Sequence, residues 1–218
     1  MRYAEERLKV VNTARKMYQQ GLVIGTWGNV SIRLPDGKGM MITPSGMEYA
    51  RLTPGDMVAV DGEGTVIEGK WKPSTETVLH LRIYSHRPGV GAVVHVHSTA
   101  ASAFAVAGVP IPVVLEETAQ LLGGPVAVAP YAMCGTESLA DRAVQALEQG
   151  SRAVLLANHG LVGLGDTADT ALKVCLVAEK TAQVALYAHI LGRVNSLSAE
   201  QIMELKTAFE AYGATKLP

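Results

Sequence analysis

The 218-residue sequence predicts an α/β domain in which a mixed or mostly antiparallel sheet is covered by helices. Three observations carry that expectation. Hydrophobic residues make up 48% of the chain and charged ones 18%, enough apolar material for a sizeable core at this length. No internal repeat or low-complexity linker divides the chain, so residues 1–218 read as one domain. Short strand-like runs also mix with helical stretches, without the regular strand–helix alternation of a parallel sheet.

The elements follow in order. Residues 4–20 bring Leu8, Val11, Ala14 and Met17 or Tyr18 onto one helical face and stop at Gly21. NVSIR (29–33), MMIT (40–43), MVAV (57–60) and TVIEG (65–69) read as strands separated by turns. A helix begins within PSTETVLHLRIYSH (73–86), with Ser74 or Thr75 as its N-cap. AVVHVHS (92–98) is a buried strand and STAASAFAVAG (98–108) a helix, and further strands are expected around VPIPVV (109–114) and VAVA (126–129). Thr136 caps a helix ending near Gly150, and AVLLANHGLVGLG (153–165) forms two strands turning at Asn158-His159-Gly160. A long helix runs from about Asp166 to Leu191 and stops at Gly192. The last helix opens with Ser198-x-x-Gln201, a capping box, and carries Ile202, Leu205 and Phe209.

Bulk properties exclude some classes of function. A net charge of -1 and a pI near 6.6 give no general pull toward nucleic acid or an acidic membrane, although a local anion site stays possible. The apolar stretch 89–115 is interrupted by two histidines, by Ser and Thr, and by Gly-Val-Pro, which fits strand, short helix and turn better than a membrane span. MRYAEERLKVV at the start is charged and helical, unlike a secretion signal. Cys134 and Cys175 lack metal-ligand spacing. A reduced cytoplasmic setting with both thiols unpaired is therefore expected.

The residues with chemistry are the histidines. In VVHVHST (93–99), His95 and His97 stand two apart on a strand and so share a face, about 7 Å apart along the chain. Such a pair either grips one metal ion or forms two core histidines bonded to carbonyls. His159 ends another apolar strand at a turn, and strand ends display reactive groups on a rigid base. Glu76, in the first turn of its helix, supplies a carboxylate whose charge the helix end favours. Three imidazoles and one carboxylate make a four-ligand set suited to zinc. His80 follows Glu76 by one turn as a supporting group, and His86 and His189 read as surface or core residues. GTWGNVS (25–31) is a small-residue loop able to aim backbone N–H groups and the Asn29 amide at a phosphate, and TPSG (43–46) and PST (73–75) add hydroxyls.

Taken together, GTWGNVS, ITPSG, KPSTE, HVH, PYAMCGT, NHG and FEAYG resemble, in order and spacing, the class II aldolase family, which includes L-fuculose-phosphate aldolase and L-ribulose-5-phosphate 4-epimerase. The resemblance spans residues 5–213 and implies a single three-layer α/β/α domain around a mostly antiparallel sheet, assembled as a homotetramer with active sites between subunits. It implies His95, His97, His159 and Glu76 as ligands of Zn2+ or another divalent metal. It implies Gly28, Asn29, Ser45, Gly46, Ser74 and Thr75 as the phosphate site, and Tyr212 as a tyrosine reaching into an adjacent subunit's site. Glutamate rather than aspartate after PST is similar to the aldolase branch, which implies cleavage of a 1-phosphorylated deoxyketose such as L-fuculose 1-phosphate to dihydroxyacetone phosphate and an aldehyde. One departure stands out. Where the family's fuculose-phosphate aldolases have a proton-donating tyrosine, counting back from Gly123-Gly124 puts Glu117. An acid there keeps epimerisation, or dehydration of methylthioribulose 1-phosphate, as alternatives. A non-catalytic interaction domain, as in adducin-like heads, would need none of the four ligands.

Overall fold

In the computed structural model, which describes residues 2–147 and 150–210 with side chains through Ala208, apolar alternation along the strands sorts the core onto two faces of one sheet. The helices are α1 (Ala4–Gln19), α2 (Thr77–His86), α3 (Thr99–Ala107), α4 (Glu116–Leu122), α5 (Glu137–Ala146), α6 (Ala168–Ile190) and α7 (Ala199–Glu210). The strands are β1 (Asn29–Arg33), β2 (Gly39–Ile42), β3 (Val58–Asp61), β4 (Val66–Glu68), β5 (Ala92–Val96), β6 (Val128–Ala129), β7 (Ala153–Leu156) and β8 (Gly160–Gly165). They lie in the order β4-β3-β2-β1-β5-β8-β7-β6. Only β6 and β7 pair in parallel, so the sheet is mixed and mostly antiparallel.

β5, at the centre, shows how the layers form. Side chains alternate between faces along a strand. Val94 and Val96 join Val30, Leu161, Phe104 and the buried side of α6, whereas Val93 joins Val162, Ile42 and the buried sides of α2 and α5. The result is a three-layer α/β/α sandwich with α2 and α5 on one face and α1, α3 and α6 on the other. All five β5 residues are buried, and two-sided burial accounts for the near-continuous apolar run that reads in sequence as a membrane question. Among the described residues no helix is long and apolar enough to cross a membrane.

Most expected elements form, and the departures have local causes. The caps foreseen at Thr136 and at Ser198/Gln201 are made: Leu139 N–H donates to Thr136 Oγ1 at 3.2 Å, and Ser198 N–H to Gln201 Oε1 at 2.9 Å. α2 starts later than expected, at Thr77, so Glu76 rather than Ser74 or Thr75 is its N-cap. Ser74 instead makes a turn, accepting from Thr77 N–H on its carbonyl and from Glu76 N–H on its hydroxyl. The run 109–114 forms no strand, only a bridge between Ile111 and Val126, because Pro110 and Pro112 have no N–H to pair. EETAQLL (116–122) is a helix that no periodic face announced. α5 ends at Ala146, short of Gly150. Cys134 and Cys175 are both free, as expected.

One polar group is buried beneath α2. His80 is wholly inaccessible; its Nδ1 lies 2.7 Å from Ser31 Oγ, which meets Tyr84 Oη at 2.8 Å. Burial holds its pKa down to about 3, against an upward pull from Glu76 and a further downward push from His95. An unfolded histidine protonates near 6.5. Between those values the unfolded chain therefore carries a proton that the folded one excludes, and stability falls as pH is lowered through that window. The slope from this group reaches about 1.4 kcal/mol per pH unit. In chelator-treated protein, denaturant unfolding at pH 7 and pH 5 should show a smaller acid-induced loss for His80→Gln than for the wild type. Equal losses would contradict this account of His80.

Candidate active site

The backbone that brings the three histidines together is dictated by strand register. Asn29 on β1 pairs with His95 on β5, and His95 pairs with Val162 on β8, so Asn29 and His95 lie side by side on the α2 face of the sheet. His97 follows directly after β5 ends. His159 sits in the β7–β8 turn, where Asn158 takes a left-handed φ of 56° and swings the next side chain back over β5. Gly160 permits the approach: a Cβ there would stand 2.4 Å from the Val96 carbonyl oxygen and 3.1 Å from both the His95 and His97 rings.

The imidazoles converge on one point. His95 Nε2 is 2.9 Å from His97 Nε2 and 3.3 Å from His159 Nε2. His95 Nδ1 faces the Leu161 carbonyl oxygen at 3.0 Å, which assigns the ring proton to Nδ1 and leaves a lone pair on Nε2. Burial, then the neighbouring imidazoles, hold His95 and His97 near pKa 3, so both are neutral donors at physiological pH. One lone pair cannot satisfy two facing nitrogens by hydrogen bonding, but a cation at the centre satisfies all three. Tetrahedral zinc with Zn–N of 2.0–2.1 Å would hold its ligands about 3.3 Å apart; the His95–His159 separation is 3.3 Å and the His95–His97 separation is shorter, at 2.9 Å.

Glu76 closes the set. As the N-cap of α2 it is 3% exposed, with Oε2 3.1 Å from His95 Nε2 and Oε1 3.6 Å from His159 Nε2. Asn29 Nδ2 donates to Oε2 at 2.8 Å, and Cys134 Sγ–H reaches Oε1 at 3.5 Å. The Asn29 amide thus serves the carboxylate, an additional partner to the phosphate expected from the sequence, while its Oδ1 is buried without a partner among the described residues. Burial, and next the Glu76 charge, push the Cys134 thiol up to about 11.

These groups open into a cleft of about 260 Å³. Its walls bring together His97, His159 and Glu76 with Gly28, Asn29, Ser45, Gly46, Ser74 and Thr75, the whole set proposed from sequence for phosphate. The GTWGN loop is clamped in place: Tyr49 Oη donates to the Gly28 carbonyl, with the Trp27 carbonyl 3.2 Å away, and a Cβ on Gly28 would meet the His95 carbonyl at 2.7 Å. Thr26, Trp27, Pro44 and Cys134 also line the cleft and escaped sequence reading, although a tryptophan inside a small-residue loop was a visible signal. Glu117 does not line it. It lies on α4, part-exposed, with Lys180 Nζ 2.6 Å from its Oε1 holding the carboxyl below its usual range. Tyr212 lies outside the described residues. His86 and His189 are exposed, each bonded through Nδ1 to the carbonyl one helical turn back. A larger cavity of about 470 Å³ between α1 and the start of α6 is lined by charged side chains, among them Lys9, Lys16, Arg33, Asp166 and Asp169.

The comparisons with known proteins agree with this geometry. Residues 8–186 match the family described as class II aldolase and adducin N-terminal domain. The chain is 38% identical over 209 residues to the 5-deoxy-D-ribulose 1-phosphate aldolase of Bacillus thuringiensis serovar kurstaki, covering 96% of this chain and 97% of that one. It is 36% identical to the 5-methylthioribulose-1-phosphate/5-deoxyribulose-1-phosphate aldolase of Rhodospirillum rubrum, over 94% of this chain and 90% of the relative. The solved structure of an L-fuculose 1-phosphate aldolase superposes with a TM-score of 0.92 at 32% identity, covering 96% and 98% of the two chains. This chain therefore belongs to the class II aldolase family.

Proposed function

We propose that the protein is a metal-dependent lyase that reversibly cleaves a 1-phosphorylated deoxyketose to dihydroxyacetone phosphate and an aldehyde. The observation that carries the reading is the convergence of three imidazole Nε2 atoms beside a buried carboxylate, in the same cleft as a cluster of hydroxyls and small-residue loops. The named activities of the relatives support it, and they name L-fuculose 1-phosphate, 5-deoxyribulose 1-phosphate and 5-methylthioribulose 1-phosphate. Each of these substrates has a phosphoryl group at one end and a carbon without its hydroxyl at the other.

His95, His97 and His159 would hold the metal, with Glu76 as fourth ligand before substrate binds. Zn2+ is the proposed ion, although the same donors accept other divalent metals. When bound, the ion supplies Lewis acidity that offsets the charge developing on the enediolate, worth several kcal/mol. Residues of the chain do the rest. Ser45, Gly46, Ser74 and Thr75, with the Gly28–Asn29 loop, bind the phosphoryl group and so position the reacting carbons at the histidines. Once displaced by substrate, Glu76 would take a proton from solvent and deliver it to C3 in cleavage, and would remove that proton and return it to solvent in synthesis, with Asn29 orienting the carboxylate. A second group must accept the C4 hydroxyl proton. Tyr212 or Glu117 is proposed for that step, each supplied from a neighbouring copy in a homotetramer with sites between subunits. Exposed Tyr187 and Ile190 on α6, Leu191 just after it and Met203 on α7 support such an assembly. The proposed setting is the cytoplasm, with no nucleic-acid or membrane partner. Glu117 in place of tyrosine favours a second reading on the same site, epimerisation or dehydration.

Protein loaded with zinc should release dihydroxyacetone phosphate from L-fuculose 1-phosphate or 5-deoxyribulose 1-phosphate, and EDTA should abolish the release. Bound metal with no release from either would contradict the aldolase reading, and an epimer or dehydrated product would establish the second one. Glu76→Gln should keep the fold, seen by circular dichroism, and lose about 10²- to 10⁴-fold in kcat. Retention of most of the wild-type rate would exclude Glu76 as the proton carrier.

A further inference from the structure

The two oxygens of the Glu76 carboxylate face different neighbours. Oε2 takes the Asn29 amide at 2.8 Å and lies 3.1 Å from His95 Nε2. Oε1 instead faces Cys134 Sγ at 3.5 Å and His159 Nε2 at 3.6 Å. One sulfur, one carboxylate oxygen and one imidazole nitrogen of Cys134, Glu76 and His159 lie within 4.8 Å of one another. The second trio lies toward the open cleft: the Cys134 thiol is exposed and the His159 side chain is 15% exposed, against 0% for His95. The Cys134 loop is also packed tightly on the chain just before Glu76. Gly135 has a φ of 78°, and a Cβ there would stand 3.0 Å from the Thr75 carbonyl oxygen.

These separations suit one face of a tetrahedral ligand set. An ion about 2.3 Å from sulfur and about 2.1 Å from nitrogen and oxygen holds S and O about 3.6 Å apart, and N and O about 3.4 Å apart. The trio uses neither His95 nor His97, and it adds sulfur, a soft donor that selects soft cations. We propose that Glu76, Cys134 and His159 form a second metal site, selective for soft cations such as Cd2+, that shares two ligands with the three-histidine set and excludes its filling. His159 Nε2 has one lone pair and serves one ion at a time. As the sulfur–metal bond forms, the thiol proton leaves to solvent, and the fourth position stays open to water from the cleft. Cation binding here does not rest on the aldolase reading. Only its consequence does, that a filled site withholds Glu76 and His159 from turnover.

Chelator-stripped protein titrated with Cd2+ should take up one ion per chain and develop an ultraviolet thiolate-to-metal charge-transfer band. The one other cysteine, Cys175, is wholly buried in the core, so the band reports Cys134. Cys134→Ser should abolish the band and weaken Cd2+ binding by about tenfold or more, a loss seen even for outer partners of a metal. Its Co2+ binding should match the wild type. His97→Ala, which touches only the three-histidine set, should keep the Cd2+ band, and His159→Ala should lose it. A wild type without the band, or uptake of two ions per chain, would overturn the proposal. So would a band lost in His97→Ala, which would make Cys134 an extra ligand of the three-histidine set. None of these readouts needs a substrate, so a wild type that binds Cd2+ in this way but cleaves no ketose phosphate overturns the aldolase reading alone.

Discussion

The constraint on which the site depends is the meeting of three imidazole nitrogens at one point. With two ring nitrogens 2.9 and 3.3 Å from His95 Nε2, lone pairs aimed at one point repel one another unless a positive charge stands between them. The fold accepts that strain because its source is the antiparallel pairing of β5 with β8, held along five residue pairs. His95 follows from the register of that pairing, His97 from the chain leaving the strand, and His159 from the β7–β8 turn. The close approach needs a residue without a side chain at 160, and the sequence has glycine there. Burial then keeps His95 and His97 unprotonated, the state in which an imidazole can bind a metal.

Second in importance is the way the carboxylate is held. Glu76 is buried at a helix start, where the helix dipole favours its charge, and takes hydrogen bonds from Asn29 and Cys134 on separate oxygens. Asn29 sits on the strand beside His95, so the same register that places the proposed metal ligands also orients the proposed proton carrier. Hydrogen bonds of this kind, which orient the groups around a metal, are a common form of support at metal sites. The cleft is small and uneven in character. Hydroxyls and glycines line much of it, and one exposed indole stands next to His97.

Much of this was legible in the sequence for a physical reason. Two histidines at i and i+2 in a valine run, and a third at a strand–turn boundary, violate the expectation for a buried strand, and such violations concentrate where chemistry happens. The hydroxyl and glycine clusters were legible as turns and reached one cleft only through the fold. Other features were hidden. The α4 helix has a short, irregular pattern with no periodic face, and Pro110 and Pro112 turned an expected strand into a single bridge. The start of α2 moved to Thr77 because Ser74 spent its hydroxyl and carbonyl on a turn rather than a cap. Glu117 was legible as a departure from the family pattern, but its ion pair with Lys180, 63 residues away, depends on the packing of α4 against α6. Trp27 stands in the small-residue loop in sequence, yet its position beside His97 follows only from the tertiary structure.

The central claim is that the three nitrogens exist to hold a metal ion, and metal binding tests it most directly. Chelator-stripped protein titrated with Co2+ should take up one ion per chain and develop the visible absorption of a four-coordinate nitrogen and oxygen site. His97→Ala should lose both the binding and the band. A stripped protein that binds no Co2+, or a His97→Ala variant that binds it as the wild type does, would contradict the account.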